Sequence, residues 1–255
     1  MISLHVNGIG FWSPGYGDVN AWRAAAPDPA VRAPAAALIP SALRRRVTTL
    51  TLLAAEVAAQ ASAGAAADLT TAAFVLGSAY GEIGCAVEMM RSFGESEGMP
   101  SPTRFHNSVH NTPAAYVSIA TGNRGFSTAI AAGAETTAAA LIEAATVLAD
   151  RGGDAVVVLL DEPVPGPFTR SPGAPLAAAA LALSAAPRAA TLARVGALRR
   201  GRGLAPELAG GLASHPCAGA FALVDAISRR VSGPVALGPF EGEGWIAELE
   251  AGGGR

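Results

Sequence analysis

The stretch GFSTAIAAGAETTAAALIEAATVLADRGGDAVVVLLDE, from Gly125 to Glu162, constrains the fold more than any other part of the chain. Gly125–Ala131 reads as a strand that ends in a turn of small residues. Glu135–Asp150 has the composition of a long helix, and Asp154–Asp161, with its AVVVLL run, reads as a buried strand. Strand, sharp turn, helix and strand in that order point to a layered α/β domain. A turn of this kind normally presents a nucleophile, because the N-terminus of the helix lowers the pKa of the group placed there. Here the turn is Ala132-Gly133-Ala134-Glu135 and carries neither thiol nor hydroxyl.

The flanking sequence extends the same alternation. Ile2–Ile9 predicts a first strand closed by Gly8 and Gly10, and Asp18 caps a short helix containing Trp22. The prolines between Ala24 and Pro40 predict an irregular excursion. Leu43, Val47, Leu50, Ala54, Val57 and Ala58 recur at helical spacing, which predicts one long helix from Ser41 to about Ala63. Ala72–Ser78 predicts a buried strand, Glu82–Phe93 a helix, Gly94–Pro102 a loop, and Thr112–Ala120 a helix with Pro113 in its first turn. After a proline-rich link, Pro163–Pro175, the runs Leu176–Ser184 and Thr191–Leu198 predict a hairpin. A helix from His215 to Arg230 and two short strands near Val235 and Trp245 complete the chain. Residues 1–162 are expected to form one half of the domain, and residues 163–255 a shortened second half packed against it.

Composition narrows the chemistry. With 51% hydrophobic and 15% charged residues the chain is globular, and with only 5% aromatics its core must be filled by Ala, Val and Leu. All basic side chains are arginine; the absence of lysine excludes Schiff-base chemistry and a P-loop together. A net charge of −2 argues against nucleic acid as a partner. Cys85 and Cys217 match no metal spacing and read as buried reduced thiols. The opening MISLHVNGIGF lacks a basic n-region and a long apolar h-region, and the most apolar run, Pro175–Ala186, is too short to span a bilayer. A cytoplasmic protein without membrane attachment is the expectation. Gly77-Ser78-Ala79-Tyr80-Gly81 is no nucleophile elbow, because its serine directly follows the glycine.

Several ordered motifs carry a resemblance. Gly122, Arg124, Gly125 and Ser127 match a Gly-x-Arg-Gly-x-Ser approach to the turn. The run Ser3–Gly10 with Ser13-Pro14 matches an opening strand, and Val75–Gly81 a second strand with a Gly-rich end. Together they resemble the β-ketoacyl synthases of the thiolase fold over about the first two thirds of the chain. The resemblance implies a layered α-β-α-β-α fold with an abbreviated C-terminal half. It places the synthase cysteine at Ala134, where a methyl group cannot attack a thioester. The later signatures are missing: no His-Gly-Thr-Gly-Thr loop occurs and no lysine follows. His215 stands where the second synthase histidine would, as a remnant without its partner, and Leu237–Gly242 is faintly similar to the family's closing Gly-Phe-Gly-Gly turn.

This combination is similar to the chain-length-factor-like group, truncated homologues that accompany an active synthase in aryl polyene and type II polyketide pathways. It implies a heterodimer about a pseudo-two-fold axis, with strand Gly125–Ala131 paired across it. It further implies that Phe105, His106, Asn107, Ser108, His110 and Asn111 form the segment lining the partner's acyl tunnel, with Gly125, Ser127 and Glu135 at the interface. No cofactor and no metal are implied for this chain. An acyl carrier protein's phosphopantetheine arm would be met through the partner, and Arg44–Arg46 and Arg199–Arg202 are either a carrier-facing patch or a solvated basic face. His106 and His110, four apart, could share a helical face in a zinc site, but no third ligand is identifiable. The alternative is an acyl-thioester transferase with rearranged chemistry, using Glu135 or Cys217. Glu135 has a plainer role as well: an acid in the first helical turn favours the positive end of the macrodipole.

Overall fold

The structure is a computed structural model, and it describes residues 3–95, 101–166, 168–169 and 173–252. Residue 2 of the expected first strand, 96–100 of the expected loop and 167 and 170–172 of the proline-rich link lie outside the described residues.

The strands are β1 (Leu4–Trp12), β2 (Ala73–Gly77), β3 (Ser127–Ile130), β4 (Asp154–Asp161), β5 (Ala177–Ser184), β6 (Ala193–Gly201), β7 (Gly233–Gly238) and β8 (Gly244–Ala251). They form a single sheet in the order β3-β2-β4-β5-β1-β6-β8-β7. β3, β2 and β4 are mutually parallel, so the chain leaves each of them at the same edge of the sheet. The helices are α1 (Val19–Arg23), α2 (Ser41–Arg44), α3 (Thr49–Ala65), α4 (Ile83–Glu95), α5 (Pro102–Asn107), α6 (Thr112–Thr121), α7 (Thr136–Arg151) and α8 (Ala218–Ser228).

The two-residue period of the strands sorts the core into two clusters. Phe74, Leu76, Val156, Val158 and Leu160, with Ala178, Ala180 and Ala182, pack on α3 and α6. Their neighbours Val75, Val157, Leu159, Leu181 and Leu183 pack on α7 and α8. Alanine across the middle of β5 lets α3 come close, and Gly8 and Gly10 of β1 let it come closer still. A Cβ at Gly8 would stand 2.0 Å from the Ala61 carbonyl oxygen.

The sheet does not end flat. β6 pairs with β1 only through residues 193–195, breaks register between Val195 and Leu198, and continues alongside β8. Beyond that irregularity the strands turn over the far side of α7 and α8. Leu237, Ala247 and Leu249 join the same cluster as those helices, and Gly219 of α8 lies so near β7 that a Cβ would meet the Leu237 carbonyl at 2.2 Å. The layers are therefore helix, sheet, helix, sheet, the thiolase-like α/β arrangement expected. No helix follows β7 among the described residues. β5, from the second half of the sequence, inserts between β4 and β1 of the first.

Four local expectations are corrected. The long helix from Ser41 is two helices, because Thr48 caps α3 by accepting from the Thr51 N–H at 3.0 Å. Part of the expected loop 94–102 is helical: α4 runs to Glu95, and α5 starts with Pro102 in its first turn. β5 and β6 form no hairpin, since β1 lies between them. Asn7, at the β1 bulge, ties their connection by donating to Ser184 Oγ (2.8 Å) and accepting from Thr191 Oγ1 (2.8 Å). Finally, His215 does not open a helix; it is extended, after a 3-10 turn at Leu212–Ser214, and α8 begins at Ala218.

Candidate functional site

β3 ends at the small-residue turn. A 3-10 turn, Gly133–Glu135, leads directly into α7, and Ala131, Ala132, Gly133 and Ala134 are all exposed. Ala134 thus stands exposed at the strand-to-helix turn, the position at which the resemblance puts the synthase cysteine. The turn is anchored from the C-terminal strands. The Ala134 carbonyl oxygen would be 2.6 Å from a Cβ on Gly238, whose φ of +98° also favours glycine there. Leu237–Gly242, the segment similar to the family's closing turn, therefore begins against Ala134.

Glu135 is held in a clamp. Arg200 of β6 donates from Nη1 to Oε1 at 2.8 Å and from Nη2 to Oε2 at 3.0 Å. Trp245 Nε1 of β8 donates to Oε2 at 3.0 Å, and the Arg200 guanidinium stacks 4.2 Å from the Trp245 ring centroid. The Arg200 and Trp245 hydrogen bonds hold the Glu135 carboxyl below the ordinary carboxylate range. A carboxylate paired in this way is a poor nucleophile, and its geometry is that of a fastener between the turn and the last strands.

His215 and Cys217 are both buried, beneath the end of β4. Cys217 N–H donates to His215 Nδ1 (3.0 Å), so the imidazole proton is on Nε2, which faces the Asp161 carbonyl at 3.3 Å. Burial lowers the His215 pKa and keeps the ring neutral. Burial and the Asp161 carboxylate push the Cys217 thiol well up, away from the thiolate that nucleophilic attack requires. Both ring nitrogens of His215 are engaged with backbone, and its edge packs on Phe221 at 4.9 Å.

The residues assigned to a tunnel segment separate into two groups. His110 and Asn111 line an open groove of about 590 Å³ between α6 and β3, together with Ala114, Ser118, Ser127 and Thr128. Phe105 and His106 are exposed on α5, and Ser108 is half-buried and donates to the Phe105 carbonyl at 2.9 Å. Asn107 is buried, and its amide donates to the Arg46 carbonyl at 2.8 Å, which fastens α5 to the α2–α3 connection. His106 and His110 share no helix, because α5 ends at Asn107. Gly125 precedes β3, and its N–H is held by Asn123 Oδ1 at 2.6 Å.

β3 is the edge strand of the sheet. The carbonyls of Phe126 and Ile130 accept from Phe74 of β2 and from Ser78 just beyond it, so by alternation the backbone groups of Ser127 and Ala129 face outward. Natural proteins cover or blunt such an edge; here it is short, small-residued and next to the groove. Exposed apolar side chains lie on the neighbouring elements: Phe105, Val109 and Ile119, and Met90 and Phe93 on α4. Three of the six arginines in the two clusters are engaged. Arg44 donates to the Ala36 carbonyl, Arg199 pairs with Glu248 and Arg200 with Glu135. No helix among the described residues is long and apolar enough to cross a membrane.

Sequence reasoning placed the strand-to-helix turn, but missed two features. The Glu135–Arg200–Trp245 clamp joins residues 65 and 110 positions apart and leaves no local signal. The cluster around Asp161 is equally non-local: it accepts from Ser78 Oγ (2.7 Å) and from the N–H groups of Ala79 (3.0 Å) and Tyr80 (2.9 Å).

Comparison with known proteins gives a consistent picture. Residues 20–205 match the family model described as β-ketoacyl synthase, N-terminal domain. No curated protein matches the sequence. Among solved structures, a chain of the ketosynthase ApeO in complex with its chain length factor ApeC from Xenorhabdus doucetiae superposes with a TM-score of 0.75 at 18% identity, covering 97% of this chain and 100% of that one. The ishigamide ketosynthase/chain length factor gives 0.73 at 15% identity, covering 98% and 100%. A β-ketoacyl synthase from Burkholderia phymatum gives 0.59 at 16% identity, covering 79% of this chain and 65% of the synthase.

Proposed function

The chain belongs to the β-ketoacyl synthase family, and from that premise we propose that it is the non-catalytic chain-length factor of a synthase pair. In this reading it joins an active β-ketoacyl-ACP synthase as a heterodimer and shapes that subunit's acyl tunnel in a type II polyene or polyketide pathway. The observation that carries the reading is Ala134: the exposed turn that should bear the thiolate bears a methyl group. The alternative nucleophiles are unsuited to the task, since Glu135 is spent on Arg200 and Cys217 is buried and protonated.

Support for a partner comes from the surface. The outward backbone of β3 and the adjoining groove suit strand addition by a second subunit, and Phe105, Val109 and Ile119 are further exposed apolar side chains. The two structures covered from end to end are both described as a ketosynthase with its chain length factor, whereas the Burkholderia synthase is covered over only 65%. The acyl carrier protein would deliver its phosphopantetheine arm to the partner, and this chain needs no cofactor of its own. The protein would act in the cytoplasm.

Co-expression with a β-ketoacyl synthase of such a pair tests the reading. The isolated chain should form no carbon–carbon bond, the pair should condense, and enlarging His110 or Asn111 should shorten the products. Condensation by the chain alone would refute it.

A further inference from the structure

Ser78 is the node at which the interface strand, the core and the groove meet. Its N–H donates to the Ile130 carbonyl at the end of β3 at 3.0 Å. Its hydroxyl donates to Asp161 Oδ1 at 2.7 Å and accepts the Gly81 N–H at 2.8 Å. Its carbonyl lies 2.9 Å from His110 Nε2. A carbonyl can only accept, so that nitrogen of His110 carries the proton.

Asp161 governs this node from within. It is 1% exposed, and its carboxylate accepts from Ser78, Ala79 and Tyr80, with the Cys217 thiol at 3.5 Å. A buried carboxylate is tolerated only when donors surround it, and here three of them come from residues 78–80 of one turn that closes at Gly81. That turn is shaped for His110. Gly81 has φ +59°, and a Cβ there would be 2.7 Å from His110 Cδ2. His110 in turn lines the groove beside β3.

We propose that Asp161 is a positioning residue for the groove: by fixing the 78–81 turn it sets where the His110 ring stands, and through that ring the chain length the pair admits. The inference rests on the chain-length reading above. It adds that the setting is made inside the sheet, by a carboxylate that touches no acyl chain.

Three variants test it: Gly81→Ala, which pushes directly on the ring, Ser78→Ala, and Asp161→Asn, which turns an amide donor toward backbone N–H groups. Two readouts are needed, the ring-nitrogen NMR signature of His110 in the isolated chain and the product lengths of the reconstituted pair. In wild type, Nε2 should be the protonated nitrogen. All folded variants should lose that signature and shift the product distribution, while a heterodimer still forms. An unchanged His110 signature in Gly81→Ala and Ser78→Ala overturns the inference, even if Asp161→Asn fails to fold. A displaced ring with unchanged product lengths would instead overturn the chain-length reading and leave the positioning of His110 standing.

Discussion

Glu82 is a buried acid whose ionisation departs far from its ordinary state. It is 3% exposed between β2 and α4, with Thr48 Oγ1 donating to its Oε1 at 2.6 Å, and burial, with Glu162 nearby, raises its pKa to about 8. The folded value lies above the unfolded one, so its contribution is full below the ordinary carboxylate range and is lost as pH rises through about 8. Glu82→Gln keeps the acceptor for Thr48 and cannot ionise. Its thermal stability should exceed wild type at pH 9 by on the order of a few kcal/mol, and the gain should vanish near pH 4. Glu135 behaves in the opposite sense. Its carboxyl is held down by Arg200 and Trp245, so its contribution is present at neutral pH and lost as pH falls through the folded value. Glu135→Gln should therefore melt below wild type at pH 7, with the difference closing in acid. The place of Ala134 at a strand-to-helix turn was legible at this scale because it sits in a local motif. Asp161 and Asn107 were not, since what they bind lies 61 to 83 positions away.

At the scale of elements, periodicity served well where a helix or strand is buried on one side and failed where a cap or a neighbour decides. The break between α2 and α3 follows from Thr48, and the helical spacing of Leu43, Val47 and Leu50 hid it by running straight across the break. The supposed hairpin failed because adjacency in sequence says nothing of β1 entering between β5 and β6. β3 was legible, and its role gives a prediction. Ala129→Pro removes an outward N–H while the bonds from Phe74 and Ser78 to Phe126 and Ile130 remain. This variant should fold, with near-native circular dichroism, and lose the synthase from co-purification. Retention of the synthase would remove β3 from the interface.

For the whole molecule, the layered α/β architecture could be read from the strand–helix alternation and the ordered motifs. The way the sheet turns over α7 and α8 could not, because it depends on the register break in β6 and on contacts between Gly219 and Leu237 and between Gly238 and Ala134. Those contacts fasten the turn bearing Ala134 to the last strands. In the proposed reading this turn is a nucleophile site without its nucleophile, and what the chain offers a synthase is a surface. Intact mass spectrometry of the co-expressed pair, loaded with an acyl carrier thioester, tests this most directly. The account predicts a one-to-one complex in which the acyl mass is carried by the synthase alone. An acyl adduct on this chain, or a chain that never associates with the synthase, would contradict it.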